Sequence, residues 1–567
     1  MEKESLNLVI GGEAGEGLVT MGQILAKSLV RDGYSIVVTQ DYQSRIRGGH
    51  NSFGIRVGIE KISAPKESID LLIALNEETV WLHKEELSHA GRVIVDGAYC
   101  IGDITCVEVP FSQLGDKRYL NTAALGVVCS LLRIDEMLVA ATLKDYLGKK
   151  DTAVVETNLG VLGKAYRWGL DQSPLVSMKL KPVSNPEKRL MMNGNEAIAL
   201  GALSAGVKCC AFYPMTPATS IVMNLITHAK EMGVVVEQAE DEIAAVNMAI
   251  GASFAGASSM VATSGGGFAL MTEGVSLAAM TETPIVMVVA QRPGPATGLP
   301  TRTEQGDLEF VLHSGHGEFP RAIFTPGSIE DCFYLTRRAF ELSERYQGPI
   351  FLLTDQFLAD SYRAVDPFDI KNLPQFGPSD VTKVSDTPYN RYQITESGIS
   401  PRLLPGLTQH LVVADSDEHT GDGHITENLS VRKQMVEKRL RKGRGILEEV
   451  IPPERSGEVR PDLLIISWGS SRGAVQEAAS MLRGEGRSVS ILHFSQVWPL
   501  KPSQFLNTLH EARDVICVEG NATGQFSRLM GRETGFEIPK RVLRYDGLPL
   551  TPEYIHLQIK KIETRGE

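Results

Sequence analysis

The stretch from Tyr213 to Asp307 constrains this chain most, because short apolar runs alternate there with helix-spaced segments. The run Pro284-Ile285-Val286-Met287-Val288-Val289-Ala290 falls far short of the roughly 20 residues that span a bilayer and reads as a buried strand. In under a hundred residues the stretch sets a helix start after Tyr213-Pro214-Met215-Thr216-Pro217, an acid (Glu242) on an apolar helix, the glycine turn Ser264-Gly265-Gly266-Gly267, and Arg292 after the buried strand. Strands that feed helices through turns imply an α/β architecture.

The same grammar recurs on both sides. Leu6-Asn7-Leu8-Val9-Ile10 breaks at Gly11-Gly12-Glu13-Ala14-Gly15-Glu16-Gly17 and leads into a helix with Leu18, Met21, Leu25 and Leu29 on one face. Strand, glycine turn and helix open a Rossmann-like unit, in which the turn could hold an anion or simply reverse the chain. Glu13 and Glu16 stand where a pyrophosphate would. Arg45 and Arg47, beside Gly48 and Gly49, could hold a carboxylate or phosphate, or could pair with a partner subunit. Further strands at 71–75 and 93–96 complete this domain, and a Pro-rich stretch (181–188) follows as a linker. Residues 366–407 show no period and read as an irregular connector; a basic helix spans 432–444. Strands at 463–467, 488–492 and 515–519 then alternate with helices in a last α/β domain, where Glu519 to Gln525 form a polar loop after a strand.

Length and composition set the limits. At 567 residues the chain needs about three or four domains. A net charge of −12 argues against a general nucleic-acid binder, so any anionic ligand must rely on local arginines and backbone amides. The charged start Met1-Glu2-Lys3-Glu4-Ser5 has no signal-peptide character, and the cytoplasm is the expected location, without a membrane span. The seven cysteines form no C-x-x-C pair and read as reduced core thiols rather than cluster or zinc ligands.

Three residues in the central stretch suit chemistry. Thr216 before Pro217 reads as the N-cap of a helix starting at Pro217, an arrangement that either just caps or presents free N–H groups and a hydroxyl to a carboxylate. Glu242 is in register with Ala245, Ala249, Gly251 and Gly256, so the small face that packs against a neighbour carries the acid inward. Such a carboxylate suits proton sharing with a ring nitrogen; Glu237, Glu240 and Asp241 fit a helix dipole instead. Arg292 follows a strand end and precedes Pro293-Gly294-Pro295, where it could grip a carboxylate bidentately or pair with an acid; Arg302, with Thr301 beside it, competes for that role. Gly421-Asp422-Gly423 looks like the start of a metal–diphosphate motif, but Asn428 comes too early to complete it, so it reads as a turn.

Taken together, these motifs resemble the α subunit of 2-oxoacid:ferredoxin oxidoreductases. Tyr213 to Pro217 is similar to the family's YPITP motif, with Met215 where Ile is usual. The resemblance implies a γ-like Rossmann-type domain over 1–178, a linker over 179–190 and a thiamine diphosphate pyrimidine-binding domain over 191–390. A connector over 391–455 and a transketolase C-terminal-like domain over 456–567 would follow. It also implies coenzyme A-dependent oxidative decarboxylation of a 2-oxoacid, 2-oxoglutarate being favoured, with electrons passed to ferredoxin. Glu242 would bond N1′ of the cofactor, and Thr216 and Arg292 would hold the substrate carboxylate, with Tyr213 and Thr301 further candidates. Pro214, Met215, Ser264 and Gly265 would line the cofactor. Mg2+ and a [4Fe-4S] cluster would belong to a separate β subunit, which makes this chain half of an active site. The competing readings are a non-redox thiamine diphosphate enzyme component and a nucleotide-binding Rossmann-type scaffold.

Overall fold

The computed structural model describes residues 2–42, 49–102, 104–148, 150–172, 179–184, 186–374, 376 and 388–565; Arg45 and Arg47 lie outside them. The chain divides into two compact units. The first comprises Met1–Asn193 with Asp360–Pro367 and Thr551–Glu553, and the second holds the remainder.

The first unit is built on an eight-stranded sheet. From the strand Ser5–Glu13 outward, Ile69–Ala74, Leu87–Asp96 and Cys106–Val109 add in parallel. On the other side His50–Gly58, Ser35–Asp41, Arg363–Val365 and Leu190–Met192 add antiparallel. Ile69–Ala74 is buried at every position, as a strand covered on both faces requires. The expected helix forms over Leu18–Arg31 and buries Leu18, Met21, Leu25 and Leu29. The glycine turn before it is closed by its own acid. Glu16 Oε2 accepts from the Glu13 amide at 2.7 Å and from Asn76 Nδ2 at 3.4 Å, so a carboxylate of the chain occupies the turn that a pyrophosphate would need.

The second unit carries two sheets. Strands Val235–Gln238, Cys209–Phe212, Ser259–Thr263, Ile285–Gln291, Pro349–Asp355 and Ala322–Phe324 run parallel in that spatial order, and Gln496–Trp498 closes the edge antiparallel. Ile285–Gln291 and Pro349–Asp355 are buried throughout, which matches their continuous apolar sequence. The second sheet orders Glu454–Ser456, Val489–Phe494, Leu463–Trp468, Val515–Glu519 and Lys540–Leu543, parallel except for its first strand. One apolar core, from Ala211 through Phe351 to Ile538, runs through both sheets. The predicted basic helix lies within Leu429–Glu448, and Gly421-Asp422-Gly423 is a turn in which the Gly423 amide bonds the Thr420 carbonyl at 3.0 Å.

Two expectations are corrected. Cys100 and Cys106 are not reduced core thiols but form a disulfide: the connection between the parallel strands Leu87–Asp96 and Cys106–Val109 brings their Cα atoms to 6.1 Å. The other five cysteines are buried. The helix after Thr216 starts at Thr219, not Pro217. The Thr216–Pro217 peptide is cis, and the carbonyls that a helix from Pro217 would give to its own amides go to side chains instead. No helix among the described residues is long and apolar enough to cross a membrane.

Candidate active site

Four adjacent parallel strands of the second unit end on one edge, and each hands the chain directly to a candidate residue. Val235–Gln238 leads to Glu242, Cys209–Phe212 to the Tyr213–Pro217 turn, Ser259–Thr263 to Ser264, and Ile285–Gln291 to Arg292. Carboxyl ends of parallel strands are where open α/β sheets place ligands, because the following helices start there with free N–H groups.

Glu242 is the first residue of the helix Glu242–Phe254, which Asp241 caps by accepting from the Ala244 amide at 2.7 Å. The cap satisfies the helix start, and Glu242 turns inward with only 3% of its surface exposed. Its Oε1 is buried and has no hydrogen-bond partner among the described residues. Gly267 makes the room: a Cβ there would stand 2.5 Å from Glu242 Oε1 and would collide with Thr263 Oγ1. Ser264, the N-cap of the helix Gly265–Met280, makes no capping bond, and its buried hydroxyl likewise lacks a partner among the described residues. Buried polar groups are normally satisfied. An acceptor and a hydroxyl left over beside a helix start fit a ligand with a donor of its own. A protonated aminopyrimidine nitrogen meets that requirement, so these residues fit thiamine diphosphate.

Arg292 is half-buried and donates from Nη1 to the Thr216 carbonyl at 2.7 Å, which brings together two of the residues expected at the substrate. Burial draws the guanidinium below its ordinary pKa, and Asp307 opposes that. Asp307 was not singled out in the sequence, yet it packs over Gly265 at the start of the Gly265–Met280 helix, and its amide donates to Gln291 Oε1 at 2.9 Å. Burial first, and Glu304 second, push the Asp307 carboxyl up to about 6, with Arg292 pulling the other way. Tyr213 and Pro214 are exposed; Met215, Thr216 and Thr301 are partly so. Arg302 and Thr301 follow the exposed segment 294–299, further along the loop than the Thr216–Arg292 contact.

The loop behind Arg292 is held by the second sheet. Gln305 donates to the Trp468 carbonyl (3.1 Å) and accepts from the Gly520 amide (2.8 Å), while Gln525 donates to the Gly306 carbonyl at 2.6 Å. The polar loop Glu519–Gln525 therefore makes contacts within the unit rather than an obvious ligand site. Glu519 itself is fully buried and accepts from the Phe526 and Ser527 amides at 2.8 and 2.9 Å.

Comparison with known proteins agrees with this geometry. A family model for the thiamine diphosphate-binding domain of pyruvate flavodoxin/ferredoxin oxidoreductases matches residues 200–438, and one for pyruvate ferredoxin/flavodoxin oxidoreductase matches 7–168. The chain is 30% identical to a 2-oxoacid:ferredoxin oxidoreductase subunit alpha of a Sulfolobus species, over 99% of this chain and 98% of the relative. It belongs to that family. As an alpha subunit of a 2-oxoacid:ferredoxin oxidoreductase it is part of an oxidoreductase, not of a non-redox thiamine enzyme or a nucleotide-binding scaffold. A second relative, 26% identical over 93% of this chain and 87% of its own length, is the 2-oxoglutarate oxidoreductase subunit KorA of Mycobacterium tuberculosis. Among solved structures, a 2-oxoglutarate:ferredoxin oxidoreductase from Magnetococcus marinus, with 2-oxoglutarate, coenzyme A and succinyl-CoA bound, superposes with a TM-score of 0.93. It is 31% identical, covering 99% of this chain and all of that one.

Proposed function

We propose that this alpha subunit supplies the pyrimidine-side half of a thiamine diphosphate site and oxidises 2-oxoglutarate to succinyl-CoA and CO2. The observation that carries the reading is the buried, unpartnered Oε1 of Glu242 at an edge where Thr216 and Arg292 also meet. When bound, thiamine diphosphate supplies the electron sink for decarboxylation. Glu242 Oε1 would accept a hydrogen bond from N1′–H and so hold the aminopyrimidine in its imino tautomer. Pro214, Met215, Ser264 and Gly265 line the ring. Arg292 and the Thr216 hydroxyl bind the 2-oxoacid carboxylate, with Thr301 and Tyr213 on the substrate side of the loop.

The remainder of the site belongs to a β subunit that holds Mg2+ and a [4Fe-4S] cluster and passes electrons to ferredoxin. Exposed apolar side chains on the helices that start at this edge support a partner there. Ile243 is 51% exposed, Leu270 51% and Met223 54%, more than a solvated face needs. Coenzyme A is the acyl acceptor and the cytoplasm the location. The relatives' substrates support 2-oxoglutarate over pyruvate or branched-chain 2-oxoacids.

The test is capture of the chain from its native extract, followed by viologen reduction with 2-oxoglutarate, pyruvate and a branched-chain 2-oxoacid, each with and without coenzyme A. A brown partner and coenzyme A-dependent reduction fastest with 2-oxoglutarate are expected. Preference for another 2-oxoacid would overturn the substrate assignment, and full activity of the isolated chain would overturn the divided site.

A further inference from the structure

The Thr216–Pro217 turn is braced from its far side by a residue with no role assigned so far. Asn195, at the start of the helix Gly194–Ser204, is fully buried, and its Nδ2 donates to the Pro217 carbonyl at 2.8 Å and to Ser220 Oγ at 2.6 Å. A carbonyl can only accept, so the bond to Pro217 fixes which end of the amide faces the turn. The opposite end, Oδ1, is buried without a partner among the described residues. A buried amide that leaves its own acceptor unsatisfied while giving its donor bonds to this turn and to the first turn of the helix after it is placed there to hold the two together. Its base is immobile as well: a Cβ on Gly194 would stand 2.5 Å from the Leu358 carbonyl oxygen, so the backbone carrying Asn195 is packed against its neighbour. Two consecutive carbonyls, Thr216 and Pro217, are thus held by Arg292 and by Asn195.

We propose that Asn195 is a positioning residue for substrate, holding the turn so that Thr216 stays against Arg292. This rests on the reading that Thr216 and Arg292 bind the 2-oxoacid carboxylate. Removing the amide donors frees the Pro217 side of the turn, and the Thr216 hydroxyl and the Arg292 fork no longer share one geometry. The loss falls first on 2-oxoacid binding, because Glu242, Ser264 and Gly265 sit on other strand ends and only Pro214 and Met215 of the cofactor-lining residues share this turn.

The experiment compares Asn195→Asp with Arg292→Lys in the complex of this chain with its partner subunit. Asn195→Asp keeps the volume but sets a carboxylate against the Pro217 carbonyl. The KM for the 2-oxoacid is expected to rise roughly 10-fold, the loss of about one hydrogen bond, while the KM for coenzyme A stays unchanged; the melting temperature falls as well, because the new carboxylate is fully buried. A rise in KM in Arg292→Lys but not in Asn195→Asp would overturn the proposal and leave the carboxylate reading intact. No rise in Arg292→Lys would overturn the carboxylate reading itself. A fall in melting temperature with an unchanged 2-oxoacid KM would show a merely structural asparagine. Should Asn195→Asp fail to assemble, Ser220→Ala removes one of the two acceptors; a rise in KM of roughly 2-fold supports the role, and an unchanged KM overturns it.

Discussion

Two glutamates lie buried in the same α/β unit, and their surroundings could hardly differ more. Glu242 has one carboxylate oxygen without a partner among the described residues. Glu282 is fully buried, and each of its oxygens is taken: Lys438 donates to Oε1 and Lys442 to Oε2 at 2.8 Å, while Arg391 bonds its backbone carbonyl at 2.7 Å. Burial alone would push the Glu282 carboxyl up, but Lys442, Lys438 and Arg391 outweigh it and hold the group at about 2. Glu282 is a brace that fastens the connector and the helix Leu429–Glu448 to the sheet. Glu242 is a socket. A buried carboxylate with every lone pair engaged is spoken for by the fold, whereas one left incomplete is available to a ligand.

The largest expected effect tests the brace. Glu282→Ala leaves two buried lysines without a counter-charge and should cost about 3–5 kcal/mol of stability at pH 7, read from urea unfolding of the purified chain. The contribution of Glu282 is present above its unfolded value of 4.5 and is lost as pH falls toward about 2. The gap between wild type and variant should therefore hold across neutral pH and close on the acid side. A variant as stable as wild type at pH 7 would break the comparison.

The matching test of the socket moves activity and spares the fold. Glu242→Gln should lower 2-oxoacid-dependent viologen reduction by about 100- to 1000-fold, the usual weight of a proton-handling group, with an unchanged melting temperature. Gly267→Ala, whose new methyl would press on Glu242 Oε1, should lower activity in the same assay by up to about 100-fold through displacement alone. A Glu242→Gln enzyme that retains wild-type turnover would remove the carboxylate from the chemistry.

Much of this arrangement was legible in the sequence. Continuous apolar runs such as Ile285 to Ala290 announced buried parallel strands, and the small residues after Glu242 announced an acid turned inward. What was not legible depends on groups distant in sequence. The helix after Thr216 starts late because Arg292 and Asn195 take its first carbonyls, and no local propensity records that. The disulfide follows from the path of the connection between two parallel strands, which spacing alone does not reveal. Glu282 passed unnoticed for the same reason: its two lysines come from a helix about 160 residues later. Asp307 could have been noticed as an acid ending the Arg292 loop, but its burial comes from packing on Gly265.

Asp307 is intermediate between the two glutamates, with a charged neighbour in Arg292 but no ion pair among the described residues to hold its charge. Its carboxyl, raised from 3.8 to about 6 by burial and Glu304, favours the folded state while protonated. That contribution is full below 3.8 and is lost as pH rises through 6. Asp307→Asn should thus be more stable than wild type above pH 6 by about 3 kcal/mol, with the difference shrinking to nothing toward pH 4. Thermal melts of both proteins across that interval check it, and a constant difference would show that Asp307 does not titrate there.

The smallest effect is also the most local. In the turn that faces Glu242, a Cβ on Gly265 would run into the Asp307 carboxylate and one on Gly267 into Glu242 and Thr263, but one on Gly266 meets only the Ala296 carbonyl at 3.6 Å. Gly266 lies in the first turn of the helix Gly265–Met280 and is exposed. Alanine there fits an ordinary helical conformation and removes freedom from the unfolded chain, so Gly266→Ala should leave the purified chain as stable as before or more so by about 0.5 kcal/mol. Its two neighbours should lose stability under the same substitution. If all three alanine variants melted alike, the glycines would be there only to start the helix, and the space around Glu242 would not be a cavity that these residues keep open.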